Sequence, residues 1–343
     1  MPLRVAINGF GRIGRAFFRA AQGNQKLEIV AINDLVTPKQ ITYLLKYDSV
    51  LGRFKGAVEE RDYNLVANGK VVTLLRNDNP AELPWKAMEI DAVVESTGFF
   101  TSGERASRHL RAGARKVLIT APAKEPDVTI VPGVNTELYD RDRHNIISMA
   151  SCTTNCLAPV AKILNEEFGI VKGFATTVHA YTNDQVLLDF QHRDLRRGRS
   201  AAMNIIPTTT GAAKAIGDVI PELKGKLDGL ALRVPVPDVS LVDLSVLVGK
   251  VASTEEVNRV LRSSSERNLK GIMEYVEEPV VSQDILGNPA SSIIDGLSTC
   301  VVDKDMVKVL SWYDNEWGYS NRLVDLLADV IGGVGNGQNP TVQ

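Results

Sequence analysis

The sequence predicts an α/β half followed by an α+β half: a doubly wound parallel sheet over residues 1–150, then a mainly antiparallel sheet covered by helices over 151–314. Three observations carry this. Apolar strand-like runs alternate with amphipathic helical segments as far as about Ser148, the pattern of a mostly parallel sheet. Beyond a helical run ending at Gly169 the pattern changes to longer β-rich stretches, at 173–180, 230–236 and 241–251, interrupted by helical segments at 211–220 and 253–265. A chain of 343 residues also exceeds what one hydrophobic core supports, so two domains are expected.

The first elements come in a defined order. Residues 3–7 read as a buried strand, and Gly9-Phe10-Gly11-Arg12-Ile13-Gly14 opens a helix through to Ala21. A second strand at 28–32 is closed by Asn33-Asp34. The glycines permit a tight turn, close approach of a pyrophosphate and close helix–strand packing, while the helix N-terminus attracts the anion. Asp34 stands 20 residues past Gly14, where a carboxylate accepts hydrogen bonds from ribose hydroxyls and repels a 2′-phosphate. Strand, glycines, helix, strand and acid in this order mark the Rossmann dinucleotide-binding fold; the bland alternative is a glycine-rich βα turn that binds nothing. Further strands are expected at 71–75, 92–96, 116–120 and 128–131, with a helix over 104–112.

A thiol and an imidazole form the second constellation. Ser151-Cys152-Thr153-Thr154-Asn155-Cys156 precedes the helical run 157–168, so Cys152 should sit near the positive end of a helix. A thiol nucleophile needs such a helix end or a nearby imidazole to stabilise its anion. His179, flanked by an apolar strand and the polar Tyr181-Thr182-Asn183-Asp184, is the candidate base. An arbitrary cysteine is more often a small buried hydrophobe, and a strand-end histidine more often structural. Of the other histidines, His109 on a helix and His144 in a charged turn are expected to face solvent, while His192 lies in a charged loop.

Composition narrows the classes. With 39 Lys and Arg against 41 Asp and Glu, the net charge of −2 gives no basic excess to attract nucleic acid or a membrane surface. No apolar run approaches a membrane span, and Met1-Pro2-Leu3-Arg4-Val5 lacks the apolar stretch of a signal peptide, so a cytoplasmic protein is expected. Three cysteines, at 152, 156 and 300, form neither a disulfide framework nor a zinc pattern, so no structural metal is expected. Residues 332–343, rich in glycine and asparagine, read as a flexible tail.

On four blocks the chain resembles phosphorylating glyceraldehyde-3-phosphate dehydrogenases: 7–15 around the glycines, 150–159 around Cys152, Pro207-Thr208-Thr209-Thr210-Gly211-Ala212-Ala213-Lys214, and Trp312-Tyr313-Asp314-Asn315-Glu316-Trp317-Gly318-Tyr319. The resemblance implies a catalytic domain with an S-loop at 181–203, a helix over 315–331 that returns to the first domain, and a homotetramer. It implies NAD bound through Asn8, Gly9, Gly11, Arg12, Ile13, Gly14, Asp34, Thr97, Gly98 and Thr120, with Asn315 orienting the nicotinamide and Tyr319 packed nearby. It places the phosphate of glyceraldehyde 3-phosphate on Thr182, Asp184 and Arg233, and attacking inorganic phosphate on Ser151, Thr153, Thr210, Gly211 and Arg197. Cys152 would form a thiohemiacetal and then a thioester, His179 would take the proton, and the Cys152 N–H with the His179 side chain would hold the oxyanion.

Three positions depart from the family pattern. Phe190-Gln191 replaces the Leu-Pro common in NAD-specific members, close to where a 2′-phosphate would lie. Because Asp34 and Leu35 keep the NAD-type pattern, NAD is expected, with use of NADP left open. Met149 replaces an asparagine, and Gly198 replaces an alanine, which would loosen the S-loop. Erythrose-4-phosphate dehydrogenase is the near alternative, disfavoured by the intact Pro207 to Gly211 segment. A scaffolding or RNA-binding protein on the same fold is the alternative of a different class.

Overall fold

The structure is a computed structural model that describes residues 1–333. Its first half runs β1 (Leu3–Asn8), α1 (Arg12–Ala20), β2 (Leu27–Asn33), α2 (Pro38–Lys46), β3 (Val58–Arg61), β4 (Asn64–Ala67), β5 (Lys70–Leu75), β6 (Ala92–Glu95), α3 (Gly103–Arg111), β7 (Lys116–Ile119), β8 (Val128–Thr129) and β9 (Ile146–Ser148). These strands form one sheet in the order β3-β4-β5-β2-β1-β6-β7-β9-β8. From β5 to β8 every pairing is parallel, and the strand order reverses between β1 and β6. That reversal leaves a crevice beyond the carboxyl ends of β1 and β6, the place where such sheets take ligands.

The β3–β4 hairpin, α2 and β9 lie outside the expected alternation. The hairpin is short and polar on its exposed positions, so it carries little period-two signal. Helix α2 is legible in retrospect from its capping box: the Thr37 side chain accepts from the Gln40 N–H, and Gln40 returns to the Thr37 N–H.

The second half runs α4 (Cys152–Phe168), β10 (Ile170–Ala180), β11 (Ile206–Thr209), α5 (Ala212–Val219), β12 (Leu227–Val234), β13 (Ser240–Val248), α6 (Thr254–Glu266), β14 (Met273–Val276), α7 (Ser282–Ile285), β15 (Ser292–Val302), β16 (Met306–Tyr313) and α8 (Trp317–Asp325). Its sheet has the order β11-β12-β10-β13-β16-β15-β14 and is mainly antiparallel; β10/β12 and β14/β15 are parallel pairs. Strand β13 alternates strictly between buried and half-buried residues, as a sheet with one covered face requires. Residues of α4, α5 and α6, among them Leu157, Ile216 and Leu261, share one core with Val242, Leu244 and Val309 of that sheet. The Ser253 side chain caps α6 and Glu256 completes the box.

Helix α8 leaves the second sheet and packs into the first core. Tyr319, Leu323, Leu327 and Ile331 join Val5, Phe17 and Leu118, the last turns widening to a π-helix over Leu326–Ile331. The tail expected over 332–343 lies, from residue 334 onward, outside the described residues.

Candidate active site

The Cys152 backbone begins α4. Ser151 is the N-cap, its hydroxyl accepting from the Thr154 N–H at 3.0 Å, and Gly169 ends the helix in a left-handed turn. Just before the cap, Ala150 is held at φ +52°, a conformation costing about 1 kcal/mol for a residue with a Cβ. The Tyr319 hydroxyl donates to its carbonyl at 3.0 Å. The thiol therefore stands at the positive end of a long buried helix whose entry is fixed from α8.

His179 comes from the end of β10, and Cys152 Sγ lies 3.6 Å from its Nε2. Its Nδ1 lies 2.7 Å from the Ala180 carbonyl, which only accepts, and 3.0 Å from Arg233 Nη1, which only donates. The shorter contact calls for the proton on Nδ1, with the Arg233 N–H directed to the carbonyl, and in that tautomer Nε2 is the acceptor facing sulfur. Arg233 sits opposite His179 in the parallel β10/β12 register, and its Nη1 donates to the same carbonyl at 3.0 Å. The Tyr313 ring packs edge-on to the imidazole, its hydroxyl between Thr153 Oγ1 and Thr177 Oγ1, both at 2.9 Å.

Burial pushes the Cys152 thiol up to about 11, with Arg233 and hydrogen bonds from Thr153 pulling the other way. Burial, reinforced by Arg233, pushes the His179 imidazole down to about 3. Both shifts oppose a lone charge. A proton passed from Sγ to Nε2 makes the two charges together, and at 3.6 Å their attraction is roughly 5 kcal/mol at an effective dielectric of about 20. The thiolate is thus available only with the imidazole protonated beside it, and the helix end adds to its stability.

These residues open into a cleft of about 720 Å³ that runs from Arg12 and Ile13 past Ser96 and Thr120 to Cys152, His179, Thr182, Asp184, Arg233, Asn315 and Tyr319. Its far end is the glycine turn. A Cβ on Gly9 would stand 2.7 Å from the Thr97 nitrogen, and one on Gly14 2.2 Å from the Gly9 carbonyl, so both contacts exclude any larger residue. No side chain caps the N-terminus of α1, which leaves its first N–H groups for an anion. Asp34 accepts from the Phe10 N–H at 2.6 Å, which places the acid against the turn. Arg12 is clamped by Asp48 at 2.6 Å and forked onto Glu316, joining α1 to the start of α8. A glycine cradle, an uncapped helix and an acid at the strand end fit a dinucleotide.

Some predicted ligands point elsewhere. The Thr153 hydroxyl is turned inward to Tyr313, and the Ser151 hydroxyl serves the cap. Thr210 and Gly211 lie outside the main cleft; the Thr210 hydroxyl caps the Ala212 N–H at 3.2 Å, and Thr210 borders a small separate pit with Thr153. Asp184 and Arg197, assigned to different anion sites, are paired to each other at 2.5 Å, with His192 3.5 Å from the other Asp184 oxygen. Gly198 is a close approach: a Cβ there would stand 2.7 Å from the Phe190 carbonyl, so the glycine tightens the S-loop here instead of loosening it. Met149 is a fully buried member of the first core, a packing role for the departure at that position.

His109 is the clear correction. It is fully buried under Trp85 and against Glu95, because α3 turns that face onto the sheet and its polar neighbours in sequence point outward. His144 is half-buried and accepts from the Asp140 N–H at 3.0 Å. Ser240 was not expected: its hydroxyl accepts from the Ala180 N–H at 3.1 Å and donates to Asn315 Oδ1 at 2.7 Å, leaving the Asn315 amide nitrogen free. It opposes Tyr313 across β13/β16, a long-range pairing with no local signal in the sequence.

The sequence profile of the glyceraldehyde 3-phosphate dehydrogenase NAD binding domain matches residues 3–103, and that of the C-terminal domain matches residues 151–315. The chain is 58% identical over 328 residues to a glyceraldehyde-3-phosphate dehydrogenase of Geobacillus stearothermophilus, covering 96% of this chain and 98% of that protein. It is 57% identical to glyceraldehyde-3-phosphate dehydrogenase 1 of Bacillus subtilis, covering 96% and 98%. It is 58% identical to glyceraldehyde-3-phosphate dehydrogenase 2 of a Nostoc species, covering 94% and 97%.

Proposed function

The chain belongs to the glyceraldehyde-3-phosphate dehydrogenase family and is an NAD-dependent oxidoreductase of that type, and we propose that Cys152 and His179 carry its chemistry. The observation that supports this is the 3.6 Å approach of Sγ to a bare imidazole nitrogen inside the cleft that begins at the glycine turn.

In this reading Cys152 Sγ attacks the aldehyde carbon of glyceraldehyde 3-phosphate while its proton passes to His179 Nε2. The proton is returned to the new oxyanion, which the Cys152 N–H and the imidazole also stabilise, giving a thiohemiacetal. When bound, the nicotinamide supplies the hydride acceptor that makes oxidation to the thioester possible. His179 Nε2 takes the hydroxyl proton at that step. Inorganic phosphate then attacks the thioester carbon, and Cys152 leaves as thiolate with release of the acyl phosphate, 1,3-bisphosphoglycerate. Thr182 and Arg233 at the cleft support a site for the substrate phosphate, and Arg197, beside Thr208 and the Thr209 carbonyl, is the cation the attacking anion would meet. The Asp184–Arg197 pair links the two.

Residues 1–150 with the returning 315–331 form the cofactor domain in this proposal, and 151–314 the catalytic domain. Ser240 fixes Asn315 toward the nicotinamide. The S-loop exposes Leu187, Leu188, Phe190, Leu195 and Met203, an apolar surface that supports the homotetramer. No helix among the described residues is long and apolar enough to cross a membrane, which is consistent with the cytoplasmic placement proposed here. The test is absorbance at the reduced-nicotinamide band with glyceraldehyde 3-phosphate. Turnover is expected with NAD and phosphate; none without phosphate beyond a single acylation would fit the thioester, and multiple turnovers without phosphate would overturn it.

A further inference from the structure

Five buried polar side chains line up across the carboxyl ends of β2, β1 and β6 and run on to α3. Asn33 Nδ2 donates to Asn8 Oδ1 at 2.7 Å, and Asn8 Nδ2 donates to Glu95 Oε2 at 2.6 Å. His109 Nε2 lies 3.0 Å from the same Glu95 oxygen, and the Trp85 indole donates to His109 Nδ1 at 2.9 Å. An indole N–H only donates, so Nδ1 is the acceptor and the imidazole proton sits on Nε2, pointed at Glu95. The other Glu95 oxygen accepts from the Thr97 N–H at 2.9 Å and from the Thr97 hydroxyl. One carboxylate, 2% exposed, thus gathers four donors from two strand ends and a helix.

Stability alone gives little reason for this. A buried carboxylate with its partners is commonly no better than an apolar core of the same volume. The location gives the reason, because β1 and β6 flank the point where strand order reverses, and Asn8 and Glu95 are register partners there. Thr97 packs its backbone directly on Gly9, within the 2.7 Å that excludes a Cβ, and Ser96 Oγ donates to the Gly9 carbonyl at 2.7 Å. At the other end Asn33 precedes Asp34, which holds the Phe10 N–H.

We propose that Glu95 and His109 are positioning residues for the dinucleotide: from beneath the crevice they fix the Asn8–Gly9 turn, the Thr97–Gly98 loop and the approach to Asp34 in the spacing the pyrophosphate and ribose require. Neither touches the cofactor. His109, held with its proton on Nε2 by Trp85, keeps the Glu95 carboxylate aimed at Thr97 and Asn8. The inference rests on the NAD-binding reading above and names residues outside the glycine motif that set its geometry.

The experiment titrates NAD into wild type, Glu95→Gln, His109→Leu and His109→Gln, reading the dissociation constant by calorimetry. Alongside it are measured kcat at saturating NAD, the alkylation rate of Cys152 and the melting temperature without cofactor. Glu95→Gln keeps the shape but sets an amide N–H₂ against the donors of Asn8 and His109, and is expected to weaken NAD binding about ten- to a hundredfold. His109→Leu should do the same, and His109→Gln, which retains an N–H toward Glu95, should recover most of the loss. Saturating kcat and Cys152 alkylation should stay within about twofold, since neither residue reaches the thiol. Unchanged NAD affinity in Glu95→Gln and His109→Leu, with or without a lower melting temperature, overturns the proposal and leaves the cluster a core feature. Variants that all fail to fold overturn it in the same sense. A wild type that does not bind NAD would instead remove the cofactor reading itself.

Discussion

Asp238 offers a prediction whose size follows from one proton. The residue lies in the turn before β13 and is 3% exposed; its Oδ1 accepts from the Val239 N–H at 2.8 Å, and its buried Oδ2 meets no N–H donor among the described residues and faces Asp314. Burial, then the neighbouring carboxylates Asp314 and Glu316, push its carboxyl up to about 9. Asp314 is likewise raised by burial, though it accepts from the N–H groups of Gly287, Glu316 and Trp317. At neutral pH the folded chain therefore holds a proton on this pair that the unfolded chain, near 4, has released. A folded-state value raised above the unfolded one gives stability that is complete below the unfolded value and is lost as pH rises toward about 9. The slope is about 1.4 kcal/mol per pH unit for one proton, so roughly 4 kcal/mol disappears between pH 5 and pH 8. Asp238→Asn keeps the Val239 acceptor, puts a permanent N–H donor toward Asp314 and titrates nowhere. Its melting temperature should match wild type near pH 5 and exceed it by several degrees near pH 8, the gap widening steadily between. A gap that does not change with pH would show that Asp238 is ionised in the folded protein and would refute the argument.

The remaining predictions concern the cleft. Cys152→Ser should abolish turnover by several orders of magnitude while NAD binding and fold persist, and Cys156→Ser should be mild, its sulfur being buried 3.3 Å from Ser311 Oγ; steady-state rates and NAD titration check both. His179→Asn should lower the rate on the order of 10²- to 10⁴-fold and slow Cys152 alkylation at neutral pH, because one nitrogen serves both proton transfers; unchanged thiol reactivity would place the base elsewhere. Wild type should show a higher kcat/KM with NAD than with NADP, Asp34→Gly should narrow or reverse that ratio, and Gln191→Pro should sharpen it, since like charges at the strand end cost more than one exposed S-loop residue returns. A wild type that prefers NADP would pass control of the choice to the S-loop.

The first sheet was largely legible because its central strands are buried and carry short apolar runs such as Ala92-Val93-Val94 and Val117-Leu118-Ile119. Elements with weaker local signal escaped: the β3–β4 hairpin, β9 of three residues, and β14 to β16, whose order is set by pairing with strands distant in sequence. Helix α4 begins five residues before the run that suggested it, taking in Cys152 to Cys156, because the Ser151 cap and not hydrophobic period decides where it begins.

At the site the same division holds, and it explains why one histidine was misplaced. Cys152 is marked by local chemistry, polar neighbours at a helix start, whereas His179, locally only a strand-end histidine, owes its assignment mainly to the family resemblance. His109 is surrounded in sequence by Arg105, Arg108 and Arg111, which suggests a solvated helix. The helix face that holds it is fixed by Ala106, buried with it, and by the indole of Trp85, which lies 24 residues away. A buried polar side chain is readable only through its partners, and those partners arrive by topology. The glycine motif shows the converse: its spacing announces a dinucleotide, yet the carboxylate that accepts from Thr97, the residue packed on Gly9, is the last residue of β6, after Ala92, Val93 and Val94, and nothing local in sequence ties it to the motif. The glycine spacing is thus local in sequence, while the contacts of Glu95 with Asn8 and Thr97 appear only when β1 and β6 are set side by side.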